Sequence, residues 1–214
     1  MDLPNITYNG DISKFIYADD DYYDAISYFK DKDYFIDITN YSKFIKAVER
    51  MVRTSKEYSG FVSYIKSVLG INFCQVNSKI TDEDATIEMH HGPLFTLYDI
   101  CEVILNFFIK SNMKINTFRV SNAVIEEHYA LRVQVVMLAI TNHEAFHNRD
   151  LFLNIQQGIG DIDSFIKKYT PYLTDDQKYK IWNYINLCEN NEGFSKSFDK
   201  GLLDTEYIKK YVKI

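Results

Sequence analysis

The chain carries five histidines, and four of them, His90, His91, His143 and His147, fall in two tight groups. His143 and His147 stand four residues apart in a segment that reads as a helix, so both imidazoles share one face about one turn apart. That spacing suits two ligands of one metal ion. His90 and His91 are neighbours in a segment that reads as a strand, so their rings point to opposite faces. One of them can join the helix pair on a metal, and the other then points away, free to act as a base. Neutral imidazole, with an ordinary pKa of about 6.5, suits proton abstraction near neutral pH. Three imidazole ligands leave coordination positions for water or substrate, as a closed structural site does not. His128 lies outside both groups and reads as a packed or capping histidine on a helix.

The elements that must position these side chains can be read from periodicity and caps. Ala85 to His90 reads as a strand running into the His91-Gly92-Pro93 turn. Thr96 and Asp99 form a capping box for a helix whose apolar face is Leu97, Ile100, Cys101, Ile104, Phe107 and Phe108. A second helix is expected from Ser121 to about Leu131. Arg132 to Ala139, β-branched and apolar, reads as the return strand. Thr141 and Glu144 form another box pattern, with Thr141 as the expected N-cap of the helix bearing His143 and His147.

Upstream, a long helix is expected from about Tyr41 to Leu69, capped by Thr39 or Asn40 and ended by Gly70. A strand is expected at Ile71 to Val76. The acidic run Asp19 to Asp24 reads as a solvated turn before a short helix through Ala25, Ile26 and Phe29. Downstream, helices are expected at Asp163–Tyr169, Asp175–Cys188 and Thr205–Tyr211. The fold class is therefore α+β and mostly helical. A small antiparallel β-hairpin plus helix should form its centre, with inserted and flanking helices. The organisation reads as a helical region over 1–83, the hairpin-and-helix core over 84–150 and a helical region over 151–214, together one compact unit.

Composition narrows the function classes. Of 214 residues, 46% are hydrophobic and 25% charged, which excludes wholesale disorder, and only 8 Gly and 3 Pro argue against a turn-dense all-β fold. The net charge is −6. Phosphate contacts come from Lys and Arg, so nucleic acid could be held only locally, by clustered basic groups or through a metal. Arg50, Arg53 and Lys56 form a small stripe that reads either as phosphate contacts or as a salt-bridged surface, and Arg132 and Arg149 are further candidates. Cys74, Cys101 and Cys188 form no Cys-x-x-Cys pair, which excludes a four-cysteine zinc knuckle and suits free thiols in a reducing cytosol. No signal-like segment and no run of about 20 apolar residues is present, so a cytoplasmic protein with no membrane partner is expected.

The pattern Ile87-Glu88-Met89-His90-His91-Gly92-Pro93, followed by a strand and then His143-x-x-x-His147, resembles the HNH (ββα-metal) nucleases. The fuller run through Asp99, together with Thr141 to Asn148, is similar to HNH-like proteins encoded by tailed phages. The resemblance implies a metal-dependent endonuclease that hydrolyses DNA phosphodiester bonds in the host cytoplasm. His90, His143 and His147 would hold one divalent ion (Mg²⁺, Mn²⁺, Zn²⁺ or Ni²⁺), with His91 as general base. The sequence departs from the pattern twice. Helices are inserted in the hairpin connection, and the asparagine that braces the base-bearing loop is replaced at its usual position by Gln134 or Val135, leaving Gln134 or Asn122 to stand in. The alternative is a catalytically inactive, metal-stabilised ββα module aimed at a host protein.

Overall fold

A computed structural model of the chain describes residues 29–148, 150–189 and 203–214. The acidic run at Asp19 to Asp24, the helix expected through Ala25 and Ile26, Arg149 and the side chain of Cys188 lie outside the described residues.

The long helix expected from Tyr41 to Leu69 is two helices, α1 (Ile38–Thr54) and α2 (Lys56–Ser67). Ser55 divides them. Its backbone is extended, its hydroxyl donates to the Val52 carbonyl, and its oxygen accepts the Tyr58 N–H at 3.0 Å. A serine offers the backbone such local alternatives to the helical ladder. The apolar repeat reads straight through the break because Val48 and Val52 of α1 and Phe61 and Ile65 of α2 belong to the same core. α1 is capped by Asp37, which accepts from the N–H groups of Thr39 and Asn40, rather than by either of those residues.

β1 (Ile87–His91) pairs antiparallel with β2 (Val135–Ala139), with Ile87 opposite Ala139 and His91 opposite Val135. Their connection holds α3 (Leu97–Lys110) and α4 (Thr117–Tyr129). α3 starts with the expected capping box: Thr96 accepts from the Asp99 N–H, and the Asp99 carboxylate accepts from the Thr96 N–H. α5 (Ile140–His147) follows β2 directly, and then come α6 (Ile162–Tyr169), α7 (Asp175–Glu189) and α8 (Thr205–Tyr211). The protein is thus α+β and mostly helical, around a two-stranded antiparallel sheet.

Ile71 to Val76 is not a strand. Phe73 makes a single bridge to Thr81, and Gln75 takes over the free edge of β2. Its N–H donates to the Met137 carbonyl at 2.8 Å, and its side-chain oxygen accepts the Met137 N–H at 2.7 Å. Ile159 bridges Val135 on the same strand. All five residues of β2 are buried, as an apolar strand covered on both faces should be. α1, α3 and α4 pack on one another, and Ile45, Val48, Ile104, Val120 and Val124 belong to the same core as the residues of β2.

Gly160 closes this arrangement. Its φ is 112°, and a Cβ there would run into the Val133 carbonyl oxygen, just before β2. The next residue, Asp161, donates its N–H to the Leu131 carbonyl. Gly160→Ala combines a forbidden backbone region with a backbone clash, so it should cost about 3 kcal/mol. Urea denaturation checks this, and an unchanged midpoint contradicts it.

Candidate metal centre

Alternation along β1 puts Glu88 and His90 on one face of the strand, and Ile87, Met89 and His91 on the other. Ala139 pairs with Ile87, and the next N–H, that of Ile140, donates to the Thr86 carbonyl at 3.2 Å. The first turn of α5 is thereby fixed against β1, and the helical repeat carries His143 and His147 on one side. One nitrogen from each of His90, His143 and His147 lies within 4.8 Å of the other two. Four-coordinate zinc with Zn–N bonds of about 2.0–2.1 Å sets its ligand nitrogens about 3.3 Å apart. Small side-chain rotations therefore suffice.

The hydrogen bonds around the cluster fit a metal ligand set. The Glu88 carboxylate accepts from His143 Nδ1 at 2.6 Å. That bond assigns the proton to Nδ1 and leaves the Nε2 lone pair for other work, the arrangement by which a carboxylate orients a metal-bound histidine. His143 Nε2 faces His147 Nε2 at 3.0 Å. His90 is 7% exposed, and its Nε2 is buried with no hydrogen-bond partner among the described residues. An orphaned buried imidazole nitrogen is costly, and a metal ion is one thing that would satisfy it. The Phe146 ring packs on His90, with centroids 4.6 Å apart, and Gly92 leaves room beside His90 Nε2, which a Cβ would approach to 3.3 Å. Burial, then the neighbouring His143 and His147, then Arg53 push the His90 pKa down to about 4. The ring is neutral near pH 7, as a ligand must be. Glu88 was not singled out from the sequence, although the Glu88-x-His90 alternation places it on the ligand face.

The Thr141 cap is not formed. α5 starts two residues earlier, with Ala139 at the N-cap and no side-chain cap bond. Ile140, now the first helical residue, donates its N–H to the Thr86 carbonyl of the neighbouring strand end. Glu144, which the box would have engaged, is exposed, and its carboxylate has no hydrogen bond or ion pair among the described residues.

His91 does point away from the cluster, but into the core rather than into solvent. It is 4% exposed and its Nε2 lies 2.9 Å from Nε2 of His128, which is itself fully buried. His128 Nδ1 is 2.7 Å from the Val124 carbonyl, so it is the donor there, and its Nε2 accepts the His91 Nε2–H. Tyr58 stacks on His91, and Phe61 packs edge-on against His128. The His91 Nε2 is thereby engaged, while its Nδ1 makes no hydrogen bond among the described residues. Nor does Gln134 brace the loop as a side chain: its amide donates to the Ile155 carbonyl at 2.9 Å, while its backbone oxygen accepts the Gly92 N–H at 3.2 Å. Asn122 is exposed on α4.

The expected phosphate contacts do not gather as free cations. Arg53 pairs with Glu49 at 2.9 Å, though its charge reaches His90 and His91. Arg132 grips Glu127 through two nitrogens, at 2.6 and 3.1 Å. Arg50 and Lys56 are exposed on α1 and α2.

Burial lowers the pKa of His91 well below its ordinary value and that of His128 to about 4. The folded chain therefore keeps this pair neutral, while the unfolded chain protonates both near pH 6.5. Between those limits the unfolded state binds more protons, so stability should fall as pH drops from about 6.5 towards about 4. The melting temperature of metal-free protein across that range checks the sign, and His128→Gln, which keeps an acceptor for His91, should make the slope shallower. A flat profile contradicts the neutral buried pair.

No helix among the described residues is long and apolar enough to cross a membrane. No curated protein and no solved structure matches the chain. The match that exists is to a phage family and extends over residues 5–214, nearly the whole length, including the histidine cluster and the core that holds it. The chain belongs to the bacteriophage G278-like virion protein family.

Proposed function

We propose that this phage virion protein is a metalloprotein in which His90, His143 and His147 hold one divalent ion, with zinc the best match to three neutral imidazoles. The observation that carries the reading is the buried, unpartnered His90 Nε2 beside two imidazoles, one of them already oriented by Glu88. His147 is exposed and His143 half-buried, so the cluster sits at the surface, where a further coordination position can be reached by water or substrate.

DNA cleavage with His91 as base is the less supported use of this centre. The ligand set suits it, and Arg53 is near enough for its charge to act on His90. Against it, His91 is nearly inaccessible with its Nε2 bonded to His128, and the nearby arginine is paired with Glu49. Nicking of plasmid by the metal-loaded protein, removed by His91→Ala with metal content intact, would restore the nuclease reading.

Protein reloaded with Zn²⁺, Mn²⁺ or Ni²⁺ should retain about one ion per chain. His143→Ala and His147→Ala should lose it, along with the rise in melting temperature that the ion confers, worth about 2.7 kcal/mol at a free ion concentration of 100 times Kd. Glu88→Gln should keep the site but weaken it by about 10- to 100-fold. Metal analysis and thermal melts read all three, and wild-type protein that retains no stoichiometric ion overturns the proposal.

A further inference from the structure

Glu144 is the residue that the metal reading leaves unexplained. It follows the first helix ligand directly, in His143-Glu144-Ala145-Phe146-His147. Successive residues of an α-helix are turned by about 100°, so Glu144 lies about 60° around the helix from His147 and flanks the face that carries both ligands. The Thr141 pattern suggests a capping duty for it, but α5 makes no side-chain cap bond. Its carboxylate is exposed and unengaged among the described residues. Two histidines four apart on a helix, with a glutamate after the first, are the side chains that metal-dependent peptide hydrolysis needs: two ligands and a base beside them.

We infer that Glu144 is the general base of a hydrolytic centre built on His90, His143 and His147, and that the bond it cleaves is a peptide amide. The inference rests on the metal reading above. A divalent ion held by three imidazoles supplies Lewis acidity to the carbonyl oxygen and to water. Glu144 takes a proton from the water as its oxygen forms the new bond to the carbonyl carbon. The C–N bond then breaks, its electron pair stays on nitrogen, and Glu144 returns the proton to that nitrogen. One amide and one water give one carboxylic acid and one amine, and the Glu144 carboxylate is regenerated. Glu88 holds His143 in place throughout.

The surroundings favour an amide over a phosphodiester. The Glu88 carboxylate is bonded to His143, and Glu144 follows His143 on the helix, on a chain of net charge −6. Arg53 is offset by Glu49. This field opposes an anionic phosphate and leaves a neutral amide unpenalised. The Phe146 ring against His90 adds an apolar wall to the ligand cluster.

The test uses the full chain loaded with Zn²⁺, with fluorescein-casein and a mixed-sequence peptide library, read by fluorescence and mass spectrometry. Bis(p-nitrophenyl) phosphate and plasmid DNA form the second arm. Wild type should cleave peptide bonds, and Glu144→Gln should lower the rate by at least about 100-fold while zinc stays at one per chain. Acetohydroxamate, a zinc ligand that also hydrogen-bonds a neighbouring carboxylate, should raise the melting temperature of wild type more than that of Glu144→Gln. Zinc-loaded protein that cleaves none of the peptides, or cleaves only the phosphate esters, overturns the inference and leaves the metal site standing. So does a Glu144→Gln variant as active as wild type. Failure to bind zinc at all overturns the metal reading beneath it, and the inference with it.

Discussion

The register of β1 against β2 is the constraint on which the histidine arrangement depends. Side chains alternate along a strand, so a slip of one residue would exchange the places of His90 and His91. With Ile87 opposite Ala139, His90 faces α5 and His91 faces the core. The register is held from both sides of β2. One edge pairs with β1, Gln75 occupies the Met137 position on the other, and Ile159 bridges Val135. No alternative pairing would keep the buried residues of β2 inside and satisfy these bonds together. Because β2 passes into α5 with no intervening loop, the same register also sets where His143 and His147 stand relative to His90.

Two adjacent histidines thus have opposite chemical fates, decided by what covers them. Both are buried, and burial favours the neutral ring in each case. His91 Nε2 meets a partner, because the His91–His128–Val124 chain places a donor opposite an acceptor at each step. Such a chain is a satisfied polar element of a core. His90 meets an aromatic ring, a glycine and two further imidazoles, and its Nε2 is left with nothing. Native interiors leave few polar atoms in that condition, and the exceptions concentrate where something else binds. The contrast separates a hydrogen-bonded histidine from a candidate ligand more sharply than exposure does, since both residues are nearly inaccessible.

Much of this was legible in the sequence where the signal is local. The Thr96–Asp99 box, the two strands, the inserted helices and the limits of α8 depend on neighbours a few residues away. Features that apolar periodicity does not encode were not legible. Ser55 breaks a helix through a hydroxyl whose alternative bonds no periodicity reveals, and Ile71 to Val76 is strand-like in sequence but serves β2 through one glutamine side chain. Strand alternation correctly separated His90 from His91, but it names a face without saying what lies over it. The burial of His91 depends on α2 and α4, which bring Tyr58, Phe61 and His128 to that face. Glu144 was obscured by a competing pattern, since Thr-x-x-Glu before an apolar helix reads as a cap. That pattern presumes a loop before the helix, and here a strand runs directly into it.

α5 is the weakest element around the site and the one that carries most of its chemistry. It is eight residues long, has no fully buried residue and lacks a side-chain cap. A helix of that length does not persist on its own propensity. Three of its attachments among the described residues are the Ile140 bond to Thr86, the Phe146 contact with His90 and the bond from His143 to Glu88. Two of these three run through the ligand cluster itself. An ion held by His90, His143 and His147 would join α5 to β1 at a third point and close the long connection that contains α3 and α4. Ion binding and ordering of α5 would then be one equilibrium, because binding to a site assembled by folding adds its free energy to folding. Such an ion would also give the helix, which has no fully buried residue, an inward partner for the imidazoles beside Phe146.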